Sequence, residues 1–211
     1  MPFNLARFAA LRPALFHITR PANLESIRAR RRLICAADLF TEAGEPHRVR
    51  EPRGADTVPI RVAGRTVVVN DQRPLRAEWI DFEDGWDLPR LVAHLNGRVF
   101  FWPGAERGPN KYGQNHTASY ERHGAVILRV NTQQLLATNP GAEPEFCRYN
   151  SGAPSPRRRP NPRGPHTFLA PAAFDWPVSR VAEVTFPGHV ALPDDTRVRA
   201  GGTEQWVPLF G

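Results

Sequence analysis

At 211 residues and 41% hydrophobic, the chain is long enough to bury a core and too apolar to be disordered throughout. No apolar run approaches the ~20 residues that span a bilayer. Arg7 and Arg12 are followed by no cleavable apolar segment, and the two isolated cysteines, Cys35 and Cys147, lack metal-type spacing. A reduced cytoplasmic protein is therefore expected, with no membrane partner and no metal site. The formal charge of +7 rests almost wholly on arginine, Lys111 being the only lysine. Arginine suits bidentate phosphate contacts, as in a nucleic acid or a dinucleotide pyrophosphate, although a GC-rich genome enriches it regardless of function.

In chain order, an apolar strand at 15–19 presents His17 on one face. A polar turn follows, with Asn23 as cap of a helix over 23–31, where Leu24 and Ile27 fall at helical spacing. A second helix is predicted from Ala36 to Ala43, stopped by Gly44 and Pro46, and 45–57 reads as a basic loop. Val58 to Val62 and Thr66 to Asn70 alternate as a hairpin turned at Ala63-Gly64. After an irregular stretch, Leu88 to Leu95 reads as a helix closed by Asn96-Gly97. Arg98 to Trp102 is the strongest strand pattern, expected to end at Pro103-Gly104. A polar helix runs from Lys111 or Tyr112 to Arg122, and Ala125 to Val130 is a strand. Gln133 to Thr138 is a helical turn, and 139–165 reads as one long loop. Thr167 to Leu169 and Val181 to Phe186 are the last strands. Short strands with few helices and long loops indicate an α+β fold whose loops carry function.

Three constellations are suited to chemistry. His17 with Thr19 sits at a strand end beside a helix, where an imidazole can grip a polar ligand by both nitrogens. Phe100-Phe101-Trp102 is followed by a helix on which Tyr112, His116, Ser119 and Tyr120 share a face, so planar groups are available to sandwich a heterocycle. The loop from Phe146 holds Arg148, Tyr149, Asn150, Ser151 and Gly152, which combine a stacking ring, an amide and a hydroxyl. Beyond it, Arg157, Arg158, Arg159 and Arg163 are available for a nucleic-acid backbone, unless the run is simply solvated.

In this order the motifs resemble the ADP-ribosyltransferase fold, nearest the DarT-type bacterial toxins that modify nucleic-acid bases. That family opens with a strand Y-H-x-T and a helix N-L-x-S-I; Phe16-His17-Ile18-Thr19 and Asn23-Leu24-Glu25-Ser26-Ile27 match. Its V-Y-F strand and S-x-x-Y helix end are loosely matched by Val99-Phe100-Phe101 and Ser119-Tyr120. The resemblance spans roughly residues 15–186. It implies a single domain over 1–211 with a split, two-sheet core, and a glycosyl transfer from NAD, as substrate, to a base in DNA or RNA. It also implies action as a toxin or in phage defence, with an antitoxin protein as a partner. By resemblance, NAD is held by His17, Thr19, Asn23 and Phe101, stacked on by Tyr112 or Tyr120, and contacted at its pyrophosphate by Arg48 or Arg50. The acceptor is chosen by Arg148, Tyr149, Asn150, Ser151 and Arg163.

One departure stands out. The family places a glutamate at the start of the strand after the substrate loop, whereas here that position reads His166-Thr167-Phe168-Leu169. Either Glu145 reaches the site from elsewhere, or His166 and Thr167 act with His17 and Tyr120 in its stead. An RNA 2′-phosphotransferase, which shares the fold and lacks the glutamate, is the alternative enzyme. A non-catalytic nucleic-acid binding module is the alternative outside enzymes.

Overall fold

The computed structural model describes residues 3–73, 75–157, 159–200 and 205–211. The chain enters through helix α1 (Leu5–Leu11), whose cap Asn4 accepts from the Arg7 amide. Then come β1 (Ala14–Thr19), α2 (Leu24–Arg30), β2 (Arg32–Ile34) and α3 (Ala36–Glu42). Strands β3 (Val58–Val62) and β4 (Arg65–Val69) form the expected hairpin, with Ala63 and Gly64 both at positive φ as a tight primed turn requires. Next are β5 (Asp81–Phe82), α4 (Leu88–Asn96), β6 (Arg98–Ala105), β7 (Gly108–Pro109) and α5 (Lys111–Glu121). The chain closes with β8 (Val126–Asn131), α6 (Thr132–Thr138), β9 (Glu145–Cys147), β10 (Pro162–Arg163), β11 (Glu183–Pro187), β12 (His189–Ala191), β13 (Arg197–Ala200) and β14 (Val207–Pro208). The fold is a mixed α and β arrangement with antiparallel pairing in its large sheet.

That sheet runs β14-β13-β8-β1-β6-β11-β9, with β7 attached to β6. Side chains of β1 and β8 alternate between its faces. Leu15, Val126, Leu128 and Val130 enter one core with Phe8, Ile27 and Leu135. Phe16, Ile18 and Ile127 enter another, covered by Trp102, Tyr120 and Trp206. The hairpin packs separately on Phe40 of α3, and Leu91 and Leu95 of α4 pack with Phe168 and Cys147.

Strand β6 divides its length between two partners. Its second half pairs with β1 over Trp102, Pro103 and Gly104. Its first half pairs with β11 over Arg98 to Phe101. Past Phe16, β1 continues alongside β8 only, so the sheet forks at His17.

Several expectations change. Strand β6 does not stop at Pro103-Gly104, because the tight β7 return keeps the ladder going and Pro103 O accepts from the Asn110 amide at 2.9 Å. Asn23 does not cap α2 with its side chain; it ends a 3-10 turn, Pro21–Asn23. The loop 139–165 is interrupted by β9, which is the sheet's edge beyond β11. Residues 165–167 form a 3-10 turn rather than a strand, leaving one isolated bridge, Phe146 with Leu169. Helix α1 and strands β12 to β14 have no counterpart in the expectations. Among the described residues, no helix is long and apolar enough to cross a membrane, and no cluster of His, Cys, Asp or Glu is arranged to hold a metal.

Candidate functional site

At the fork, the Phe100 carbonyl is bound by a side chain: His17 Nδ1 lies 2.9 Å from it. A carbonyl only accepts, so Nδ1 carries the proton and donates. Burial holds the imidazole below its usual pKa, against the opposing pull of that hydrogen bond. A neutral ring protonated at Nδ1 leaves Nε2 with a lone pair, ready to accept from a hydroxyl.

His17 lines a cleft of about 260 Å³. Thr19 and Asn23 line it as well, though their polar groups are partly engaged. Asn23 donates to Thr19 Oγ1 and Val68 O, each at 2.9 Å, and accepts from the Val68 amide at 2.7 Å, tying the first strand to the hairpin edge. On β6, Phe100 and Trp102 line the cleft while Phe101 is fully buried in the main core. Phe101 is thus a packing residue, whose ring lies 5.7 Å from that of His17; the alternation of the strand turns its neighbours Phe100 and Trp102 to the cleft.

Tyr120 of α5 lines the same cleft as His17. The helix is set by Asn110, whose Oδ1 caps the Gly113 amide, and by Gly113 itself, where a Cβ would come within 2.6 Å of Trp102 and Pro109 side chains. Trp102, His116 and Tyr120 follow one another in a row of rings, 4.9 and 5.7 Å between centroids, the last pair stacked. Tyr120 donates to Asp71 Oδ1 at 2.9 Å; burial and the Asp71 charge raise its pKa, so it stays a phenol.

The sequence reading misses the acid. Glu183 opens β11, is 2% exposed and lines the cleft beside Asn150, Ser151 and Gly152. Its Oε2 accepts from the Ser151 amide at 3.0 Å. Burial pushes its pKa up to about 7, against Ser151, whose hydroxyl and amide favour the ionised form, and the Arg163 charge. The available signal was a lone carboxylate inside the apolar run Val181 to Phe186. Because 165–167 is a turn, β11 is the long strand that follows the loop, and an acid does begin it.

Glu145, the alternative acid, is spent. Arg98 Nε and Nη2 hold its two oxygens at 2.6 and 3.0 Å. Thr167 is buried and its hydroxyl accepts from the Gly164 amide at 3.0 Å; His166 is exposed, and neither lines the cleft. Arg48 pairs with Glu45, and Arg50 is exposed; neither reaches the cleft. Arg53 does line it, as do Arg30, Arg32 and Arg98. Arg53 donates to Asn70 O at 2.7 Å and Asn96 Oδ1 at 2.8 Å, and makes no direct ion pair among the described residues, although the Asp71 charge acts on it. Residues 48 and 50 lie on a 3-10 turn, Pro46–Arg50, which loop composition does not reveal.

The acceptor-loop residues separate as well. Asn150 and Ser151 line the cleft, whereas Tyr112, Tyr149 and Arg163 line a neighbouring cavity. Arg163 is 2% exposed and donates to Ser151 O, Pro162 O and Asn150 O at 2.9 to 3.0 Å, with its guanidinium 4.0 Å from the Tyr149 ring centroid. It holds the Asn150-Ser151 loop in place rather than offering a free cation. Arg148 is exposed and stacks on Trp176 at 4.2 Å, lining neither hollow. In the basic run, Arg157 is exposed, Arg159 pairs with Asp81 at 3.5 Å, and Arg158 lies outside the described residues.

The cleft thus collects, from distant parts of the chain, a neutral imidazole, a phenol, a buried carboxylate and a guanidinium with no acid bound. No curated protein and no solved structure matches the chain. A family model matches residues 13–196, and the chain therefore belongs to that family, described as a family of unknown function (DUF7002).

Proposed function

We propose that this protein transfers ADP-ribose from NAD to a nucleic-acid base, using a split ADP-ribosyltransferase-like core. The observation that carries the reading is Glu183, a buried carboxylate lining the same cleft as His17 and Tyr120. A carboxylate held out of water is costly unless its charge is used, and this cleft surrounds it with the groups that a dinucleotide needs.

His17 Nε2 accepts from a ribose hydroxyl. The rings of Tyr120 and its stacked neighbour His116 offer a flat face to nicotinamide. Arg53 supplies positive charge to the pyrophosphate. As the bond between ribose C1′ and nicotinamide breaks, its electron pair leaves with nicotinamide and positive charge grows on the ribose. Ionised Glu183 stabilises that charge and orients the neighbouring hydroxyl. The 2′-phosphotransferase alternative presumed a site without an acid, and Glu183 removes that ground.

The test is incubation with NAD and single-stranded DNA and RNA oligonucleotides, followed by mass spectrometry. A gain of one ADP-ribose unit is expected, reduced about 100-fold or more in Glu183→Gln and lost in His17→Ala. Absence of NAD consumption together with unmodified oligonucleotides rejects the reading.

A further inference from the structure

Beside the cleft lies a second cavity, of about 870 Å³. The two share four residues: Asp71, His116, Tyr120 and Asn150. Elsewhere the second cavity differs in character. It presents the rings of Tyr112 and Tyr149 and the cations of Arg20, Arg73 and Lys111. Aromatic plates among cations suit a planar base attached to phosphates.

Asp71 is the one carboxylate on the shared wall. Its Oδ1 accepts from the Tyr120 hydroxyl at 2.9 Å and from the Arg73 amide at 3.1 Å. Among the described residues it makes no ion pair. It is half-buried and hydrogen-bonded at the boundary of two hollows, and its charge acts on Arg53 without a direct ion pair. A carboxylate in that position can take a proton from a group entering on one side while a reaction proceeds on the other.

We infer that the second cavity holds the acceptor base and that Asp71 is the catalytic residue that receives its proton. This rests on the transferase reading above. An acceptor ring nitrogen bonds to ribose C1′ as the C1′–nicotinamide bond breaks. Nicotinamide departs neutral with the electron pair, and the N–H proton passes to the Asp71 carboxylate and then to water. The acceptor must therefore carry a ring N–H: thymine, uracil and guanine do, whereas adenine and cytosine in a strand do not. The Asn150 amide, on the same wall, is placed to bond the carbonyl beside that N–H.

The experiment measures transfer from NAD to DNA and RNA homo-oligomers of each base, with NAD affinity followed by calorimetry. Label is expected on thymine, uracil or guanine oligomers, and the DNA and RNA arms show which strand is used. Asp71→Asn should lower transfer about 100-fold while NAD affinity stays within about threefold, and Asp71→Glu should recover part of the rate. Wild-type transfer by Asp71→Asn overturns the assignment of Asp71, and label on adenine or cytosine alone overturns the ring N–H acceptor. Should Asp71→Asn fail to bind NAD, Tyr112→Ala decides, since Tyr112 lines only the second cavity. Its oligomer KM should rise about tenfold with kcat and NAD affinity unchanged; an unchanged KM overturns the acceptor site. A wild-type protein that labels nothing rejects the transferase reading itself.

Discussion

In the proposed reaction, Glu183 sets stability against activity within a single side chain. Its pKa in the folded protein, about 7, lies above its ordinary value of 4.5. A raised carboxylate pKa means that the native state holds the proton more tightly than the unfolded chain. Stability from this group is complete below pH 4.5 and drains away as pH rises through 7, by about 3 kcal/mol in total. Urea denaturation of Glu183→Gln should therefore show a flatter pH profile and a more stable protein at pH 8. Transfer should run the other way in the wild type, rising through an apparent pKa near 7 as the carboxylate ionises. At this scale the sequence was unevenly legible. His17 and Tyr120 were readable because an isolated polar residue on an apolar strand, or a ring on a polar helix face, is conspicuous. Phe101 was misread because Phe100-Phe101-Trp102 is aromatic on both parities, so alternation cannot say which ring faces the ligand. Glu183 was hidden by its own neighbours, whose apolar run signalled packing.

Helix α5 carries Tyr120 into the cleft only because its first turn sits hard against β6. A side chain at Gly113 would enter the space of Trp102 and Pro109, each already 2.6 Å from an added Cβ. Gly113→Val should lift the helix from the strand, lower the stability by about 2 kcal/mol or more, and weaken NAD binding measured by calorimetry. Most elements were predictable within a few residues, since the periodicities of α3, α4, the hairpin and β8 are local properties of the chain. What failed was non-local. Pro103-Gly104 looks like a strand terminator until β7 folds back on it, and the turn at 165–167 is stabilised by Thr167 capping the Gly164 amide rather than by any ladder.

Across the whole molecule, the interior extends past both ends of the family match at residues 13–196. Phe8 before it and Val198 and Leu209 after it are all within the main core. Leu209 is 1% exposed, and its carbonyl accepts from Arg28 Nε on α2 at 3.0 Å. Leu209→Ala should thus cost about 2–4 kcal/mol in thermal or urea unfolding, as a central leucine would. The closing strands were unreadable because two- to four-residue segments carry too little pattern; their partners define them, β2 for β12, β8 for β13 and β13 for β14. The division of β6 between β1 and β11 has a wider consequence. The width of the cleft beside His17 is dictated by backbone pairing register, and a slip of one residue would bury Phe100 and Trp102 while turning Phe101 outward. The second cavity, by contrast, draws much of its wall from connecting segments around residues 55–57 and 149–163. Substitutions in those segments would reshape the second cavity while leaving the walls set by the forked sheet as they are.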